Sequence, residues 1–125
     1  MRNMSFALTT AQIRNRTKTV TRRIGWTFLK PGDRLRAVVQ CQGLKKGEHV
    51  EELALLRVES VRVEPLRALL TDLDYGIAEV RREGFAGPPL YSSPLAFVEF
   101  FQNTHRAKAR PGLDAPVTRI AFSYV

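Results

Sequence analysis

A chain of 125 residues, 44% apolar and 26% charged, is sized for one soluble domain with one substantial hydrophobic core. It has no run approaching eighteen apolar residues, no apolar stretch in MRNMSFALTTAQIRNR, and a single cysteine, Cys41. A membrane span, a leader and an internal disulfide are therefore not expected, and a reducing cytoplasm is the expected setting. The net charge of +8 is unevenly placed: residues 1–40 carry nine Lys or Arg against Asp33 alone, and the remainder carries eleven of each sign. Such asymmetry favours a polyanion, a phosphate or a nucleoside as partner, with an unevenly charged solvated surface as the plain alternative.

In chain order, Ser5–Leu8 reads as a short strand, and Thr9 can cap a helix over Thr10–Arg16 with Gln12 at the capping-box position. Lys18–Ile24 alternates β-branched and polar residues, which predicts an exposed strand or extended loop. It overlaps RTKTVTRR, residues 16–23, with four cations, three threonines and no acid. In an extended chain Lys18 shares a face with Val20, and Thr21 with Thr19 and Arg23, so Lys18 and Thr21 converge only through a bend. By spacing alone the segment is equally a charged edge strand, where lysine discourages edge-to-edge pairing. Pro31-Gly32-Asp33 marks a turn into the strand RLRAVVQC, with Leu35, Ala37 and Val39 on one face.

Gly43–Glu52 reads as a polar connection. The next strand, Leu53–Val63, changes apolar parity between Leu56/Val58 and Val61/Val63. An extra residue near Glu59-Ser60 accounts for that, and such bulges turn the corners of small barrels. Pro65 is expected to open a short helix holding Leu66, Leu69 and Leu70. Asp74 is expected to cap another, running to Glu83 and ended by Gly84 where φ > 0 is wanted. After the loop AGPPLYSSP, Ser93-Pro94 starts a helix with Leu95, Phe97, Val98, Phe100 and Phe101 on its apolar face. A second basic loop, HRAKARPG, precedes the strand VTRIAFSYV, with Ile120, Phe122 and Tyr124 inward. The fold class is α+β: a small curved mixed sheet or barrel with three or four short helices.

Few catalytic signatures are present. There is no GxxxxGK[ST], no GxSxG and no zinc-ligand spacing, so neither metal nor cofactor is expected. Cys41 reads as a small buried hydrophobe. His49 lies in a charged loop, and His105 at a helix end, where a cation complements the dipole. Trp26, Phe28 and Tyr91 can stack on unpaired bases or fill the core; for Phe28 the core is expected.

Lys18-Thr19-Val20-Thr21-Arg22-Arg23, after a short helix and before a Pro-Gly-Asp turn, resembles the K-x-x-T-x-R signature of the ASCH domain, named for homology to activating signal cointegrator proteins. The likeness continues through Gly32-Asp33, Glu83-Gly84-Phe85, the helix SPLAFVEFF and the terminal strand. It spans essentially the whole chain and is strongest toward the short ASCH proteins common in phages and prophages. The resemblance implies a PUA-like fold, a small mixed β-barrel with helices around it and a cleft for RNA or a nucleoside. Some members are amidohydrolases that deacetylate N4-acetylcytidine with a lysine, a threonine and a glutamate; others are RNA-binding or ribonucleolytic.

Carried over by position, the resemblance implies Lys18, Thr21 and Glu83 as catalytic residues, with Arg23 as the motif arginine. Arg16, Arg22, Arg23, Trp26 and Tyr91 are the expected substrate- or RNA-binding residues. The expected partner is a modified nucleoside or RNA, with no membrane, and a monomer is favoured. Lys18 acts as a base only when neutral, so its ordinary pKa of about 10.4 must fall by desolvation or through cations such as Arg16, Arg22 and Arg23. An ionised Glu83 pulls the other way. Members usually carry glycine two residues before the lysine, where this chain has Arg16; Asn15 beside it tolerates the left-handed region and can substitute in part. The function implied is an amidohydrolase of the N4-acetylcytidine type. The alternative is a non-catalytic or ribonucleolytic RNA-binding module, with affinity falling steeply with salt.

Overall fold

The computed structural model describes residues 1–40, 47, 49–85, 93–105 and 110–125. Cys41, half of the 43–52 connection, residues 86–92 with Tyr91 and residues 106–109 of the second basic loop lie outside the described residues. Five strands form one mixed sheet: β1 (Arg2–Ser5), β2 (Val20–Arg23), β3 (Arg34–Val38), β4 (Glu52–Pro65) and β5 (Pro116–Tyr124). Their order across the sheet is β1-β3-β4-β5-β2. Only β1 and β3 run parallel; the other neighbours are antiparallel.

β4 is the spine, pairing with β3 through its first part and with β5 along most of its length. Its register slips between Val58 and Ser60, leaving Glu59 as the extra residue that the change of apolar parity requires. The two edges of the curled sheet then meet: Arg23 Nη2 on β2 donates to the Ser5 carbonyl at the end of β1, at 2.7 Å. The result is a half-barrel. In β3, Leu35 and Ala37 face inward, but Val38 rather than Val39 is buried beside them, because the register also shifts between Ala37 and Val38.

Four α-helices accompany the sheet among the described residues: α1 (Thr10–Arg14), α2 (Ala68–Thr71), α3 (Leu73–Arg82) and α4 (Pro94–Thr104). The first strand starts earlier than expected, at Arg2, and Ala7–Thr9 form a single 3-10 turn. Thr9 makes no capping bond; the Thr10 hydroxyl donates instead to the Phe6 carbonyl at 2.9 Å. α1 ends at Arg14, short of the expected Arg16, because Arg16 leaves the helical region with φ 62°. Pro65 closes β4 rather than opening a helix. Asp72, not Asp74, caps α3: its extended backbone lets Oδ1 accept from the Tyr75 amide at 3.1 Å. α4 starts as expected, with the Ser93 hydroxyl accepting from the Ala96 amide and proline in the first turn.

Among the described residues the buried apolar side chains fall into two clusters. Met4, Phe6, Ile13, Leu35, Leu56, Val58, Ile120 and Phe122 join the sheet to α1. Leu66, Leu69, Val80, Phe97, Val98 and Phe101 join α2, α3 and α4, with Val117 from β5. Lys18, Thr21, Arg22, Glu79, Glu83 and Arg119 are buried but belong to neither cluster. Buried charges persist only where they are mutually paired.

Candidate functional site

The predicted exposed strand is not exposed. β2 pairs along one edge with β5, and its Val20, Thr21 and Arg22 are all buried. The connection from α1 is held residue by residue. Thr17 and Lys18 amides both donate to the Gln12 carbonyl, and the Asn15 side chain accepts from Thr17. The Thr19 amide donates to the Arg82 carbonyl at 2.8 Å, and the Tyr124 hydroxyl to the Lys18 carbonyl at 2.6 Å. Asn15 does not take the left-handed conformation at φ −89°; Arg16 itself does, with its guanidinium over the Tyr124 ring at 5.3 Å.

Lys18 points into the protein with its side chain 3% exposed. Its Nζ donates to Glu83 Oε1 at 2.7 Å and to the Glu83 carbonyl at 2.9 Å. This approach depends on Gly84, whose φ is +101° and whose missing Cβ would stand 2.8 Å from Gln12 Cγ and 3.4 Å from Lys18 Cβ. Burial pushes the Lys18 pKa below its ordinary value; Glu83 pulls it back up by charge and hydrogen bond, while Arg23 and Arg22 push it further down.

The second Glu83 oxygen, Oε2, accepts from Arg22 Nη1 at 3.0 Å. Arg22 also donates to Glu79 Oε1 at 2.6 Å, to Glu64 Oε2 at 3.2 Å and to the Tyr75 hydroxyl at 3.2 Å. Burial alone would lower its pKa, but Glu83, Glu79 and Glu64 hold it above the ordinary arginine value. Glu79, fully buried, receives Arg119 on both oxygens and Arg82 at 2.8 Å. Burial raises its pKa, yet the guanidiniums of Arg119, Arg82 and Arg22 outweigh that and bring it down to about 2. The network surfaces at Tyr75, which donates to Glu64 at 2.6 Å and accepts from Arg62 at 2.6 Å.

Above Lys18 and Glu83 opens a cleft of roughly 230 Å³. Its lining joins polar Lys18, Thr21, Arg22, Arg23 and Glu83 to the aromatic rings of Phe6, Phe85, Phe97, Phe100 and Phe101. Thr21 Oγ1 accepts from Arg23 Nε at 3.1 Å, and the Arg23 guanidinium lies 4.7 Å over the Phe6 ring. His105 also lines the cleft, stacked on Phe101 at 3.9 Å with Nδ1 2.9 Å from the Phe101 carbonyl. Burial lowers its pKa, so its ring is neutral at pH 7.

Five of the expected site residues thus meet at this cleft. Arg16 is exposed outside it, and Trp26 packs against the first apolar cluster. Phe28, expected in the core, is 51% exposed, because the backbone turns at Trp26 and Leu29 takes the inward place instead. Sequence reasoning missed Glu79, Arg119, Glu64, Tyr75 and the position of His105 in the cleft. Glu79 had a signal, standing one helical turn before Glu83. Arg119 had none, since it falls on the face of β5 that alternation assigns to solvent. Among the described residues no helix is long and apolar enough to cross a membrane, and no group of three His, Cys, Asp or Glu gathers as metal ligands.

No protein-family model matches the sequence, and no curated protein does either. Solved structures do. The crystal structure of an ASCH domain from Lactobacillus crispatus aligns with a TM-score of 0.58 over 98% of this chain and 78% of that one, at 13% identity. The fold is that of an ASCH domain. A crystal structure of an Enterococcus faecalis protein of family DUF984 aligns with a TM-score of 0.66 over 99% and 75% of the two chains, also at 13% identity. A third, of a hypothetical protein, gives 0.51 over 99% and 96%, at 16% identity. In this fold the K-x-x-T-x-R segment occupies an edge strand and the connection leading into it, with α3 in contact with both.

Proposed function

We propose that this protein is a member of the ASCH family that hydrolyses an N-acylated nucleoside, of the N4-acetylcytidine kind, in the cleft. The observation that carries the reading is the gathering of Lys18, Thr21 and Glu83 in one cleft that is also lined by five phenylalanine rings. Thr21 is the nucleophile. Arg23 already donates to its oxygen, which favours the alkoxide as the proton leaves. Lys18 is the base and then the acid, since burial moves its pKa toward the working range.

Thr21 Oγ1 attacks the acyl carbon and its proton passes to neutral Lys18. As the C–N bond breaks, Lys18 returns that proton to the leaving amine. Water then cleaves the threonine ester, releasing the carboxylic acid and restoring the hydroxyl. Glu83, with one oxygen on Lys18 and the other on Arg22, aims Nζ. The reducing cytoplasm is the setting we infer, from the single Cys41.

The test is incubation with N4-acetylcytidine, following cytidine by chromatography. Turnover by the wild type, lost in Lys18→Ala and Thr21→Val and retained in Thr21→Ser, supports the assignment. No turnover by the wild type removes this substrate, and full activity of Thr21→Val removes the nucleophile.

A further inference from the structure

We infer that His105 is a specificity-determining residue of the cleft: its Nε2 accepts a hydrogen bond from an N–H or O–H group of the ligand. The inference rests on the reading of the cleft as a nucleoside site and names one feature of the ligand that the site selects.

His105 follows Thr104, the last residue of α4, and its backbone has left the helical region at ψ 58°. The final carbonyls of a helix have no intrahelical partner. The imidazole folds back over this end: its ring lies 3.9 Å from the Phe101 ring at an angle of 19°, and Nδ1 is 2.9 Å from the Phe101 carbonyl. A carbonyl oxygen only accepts, so Nδ1 carries the proton. The Thr104 hydroxyl donates to the Phe100 carbonyl at 3.0 Å and turns its oxygen to the same Nδ1 at 3.2 Å. In the neutral ring the other nitrogen is then bare. No hydrogen bond among the described residues reaches Nε2. It sits on the far side of the ring from the backbone attachment, and this ring is part of the cleft lining.

The rest of the lining makes this lone pair selective. Lys18, Arg22 and Arg23 bring hydrogen-bond donors to the cleft. The acid among them, Glu83, is turned to Lys18 and Arg22, and the Ser5 carbonyl receives Arg23 Nη2 at 2.7 Å. The Ser5 hydroxyl donates to the Val39 carbonyl at 3.0 Å. A lining so rich in donors suits the oxygens and ring nitrogen of a base or an acyl group, and Nε2 supplies the complementary acceptor. Stacking on Phe101 fixes the plane of the imidazole, and with it the direction in which Nε2 accepts. Cytosine nucleosides carry a matching donor in two places, on the exocyclic nitrogen and on the sugar. A ligand donor that leaves water and meets no acceptor loses more than the bond would gain, so the lone pair selects.

The test follows the imidazole nitrogen resonances of the whole, isotope-labelled chain during titration with cytidine, which has no acyl group to lose. His49→Gln separates the His105 signals from those of the other histidine. At pH 7 without ligand, the expected spectrum has the proton on Nδ1 and a bare Nε2. Cytidine then shifts Nε2 toward the hydrogen-bonded position, together with the Lys18 and phenylalanine signals. His105→Asn puts an amide nitrogen where Nδ1 stands, so it keeps the bond to the Phe101 carbonyl and the wild-type melting temperature. It leaves nothing at the place of Nε2, and cytidine affinity falls about fivefold. His105→Gln carries its amide out to that place and restores most of the affinity. A fall seen with cytosine as well assigns the donor to the base; a fall with cytidine alone assigns it to the sugar. The inference is overturned if the proton resides on Nε2, if cytidine shifts no cleft resonance or moves Lys18 and leaves Nε2 unmoved, or if His105→Asn binds as tightly as the wild type. Turnover of N4-acetylcytidine with an unmoved Nε2 would remove this inference alone, and a shifted Nε2 without turnover would remove hydrolysis alone.

Discussion

Replacing Glu79 by glutamine tests whether the buried charges between sheet and helices hold the molecule together. The substitution preserves shape but removes the charge that faces Arg22, Arg119 and Arg82. A pKa of about 2 against an ordinary 4.5 is a difference of roughly 2.5 units. At 1.36 kcal/mol per unit this makes the ionised form worth about 3 kcal/mol to the fold. Breaking a buried pair by removing one partner typically costs about 3–5 kcal/mol, so two independent routes agree. For a chain of this length that lowers the melting temperature by about 10 °C.

The pH dependence carries a separate signature. Because the folded pKa is depressed, the contribution is complete above the unfolded value near 4.5 and disappears as pH falls toward about 2. Urea unfolding of wild type and Glu79→Gln between pH 7 and pH 2 should therefore show curves separated by about 3 kcal/mol at neutrality that converge in acid. A separation below about 1 kcal/mol at pH 7, with parallel curves down to pH 2, would refute the reasoning. It would mean the guanidiniums are resolvated and the network is energetically idle.

Gly84→Ala should cost about 2–4 kcal/mol in chemical denaturation, since the new methyl meets Gln12 at 2.8 Å and the backbone must hold φ +101°. A neutral result would show that α3 can withdraw from α1 without consequence. At Arg16, whose φ is 62°, a glycine variant should be about 1 kcal/mol more stable than an alanine variant, both having lost the Tyr124 contact; equal melting temperatures would refute the strain. The Lys18 side-chain carbon resonance should titrate below the ordinary lysine range, and lower still in Glu83→Gln, since Glu83 is what raises it. In the interval between that depressed value and about 10.4 the unfolded chain holds the extra proton, so stability rises with pH there. Titration of Lys18 at an ordinary value would remove it as a base.

Local rules carried far in this chain. The parity change in β4 announced the bulge at Glu59, the Ser93-Pro94 pair announced the start of α4, and Pro31-Gly32-Asp33 announced the turn into β3. Each is written within a few residues, because backbone geometry and side-chain alternation are short-range properties. The caps were harder: Asp72 and Asp74 are chemically identical, and only the backbone of Asp72 is extended.

The sequence by itself determined the alternation of elements, the positions of its bulge and turns, the gathering of charge in its first third and the presence of Lys18, Thr21 and Glu83. Tertiary structure alone decided what those residues face. Lys18 and Glu83, 65 positions apart, meet at 2.7 Å because the end of α3 packs against β2 and the residues leading into it. Arg22 lines the cleft and at the same time ties Glu79 to Glu83, and Arg119, on the face of β5 that alternation assigns to solvent, pairs with Glu79. A buried charge needs partners, and which partners exist is fixed by packing between distant elements, so no local pattern can name them.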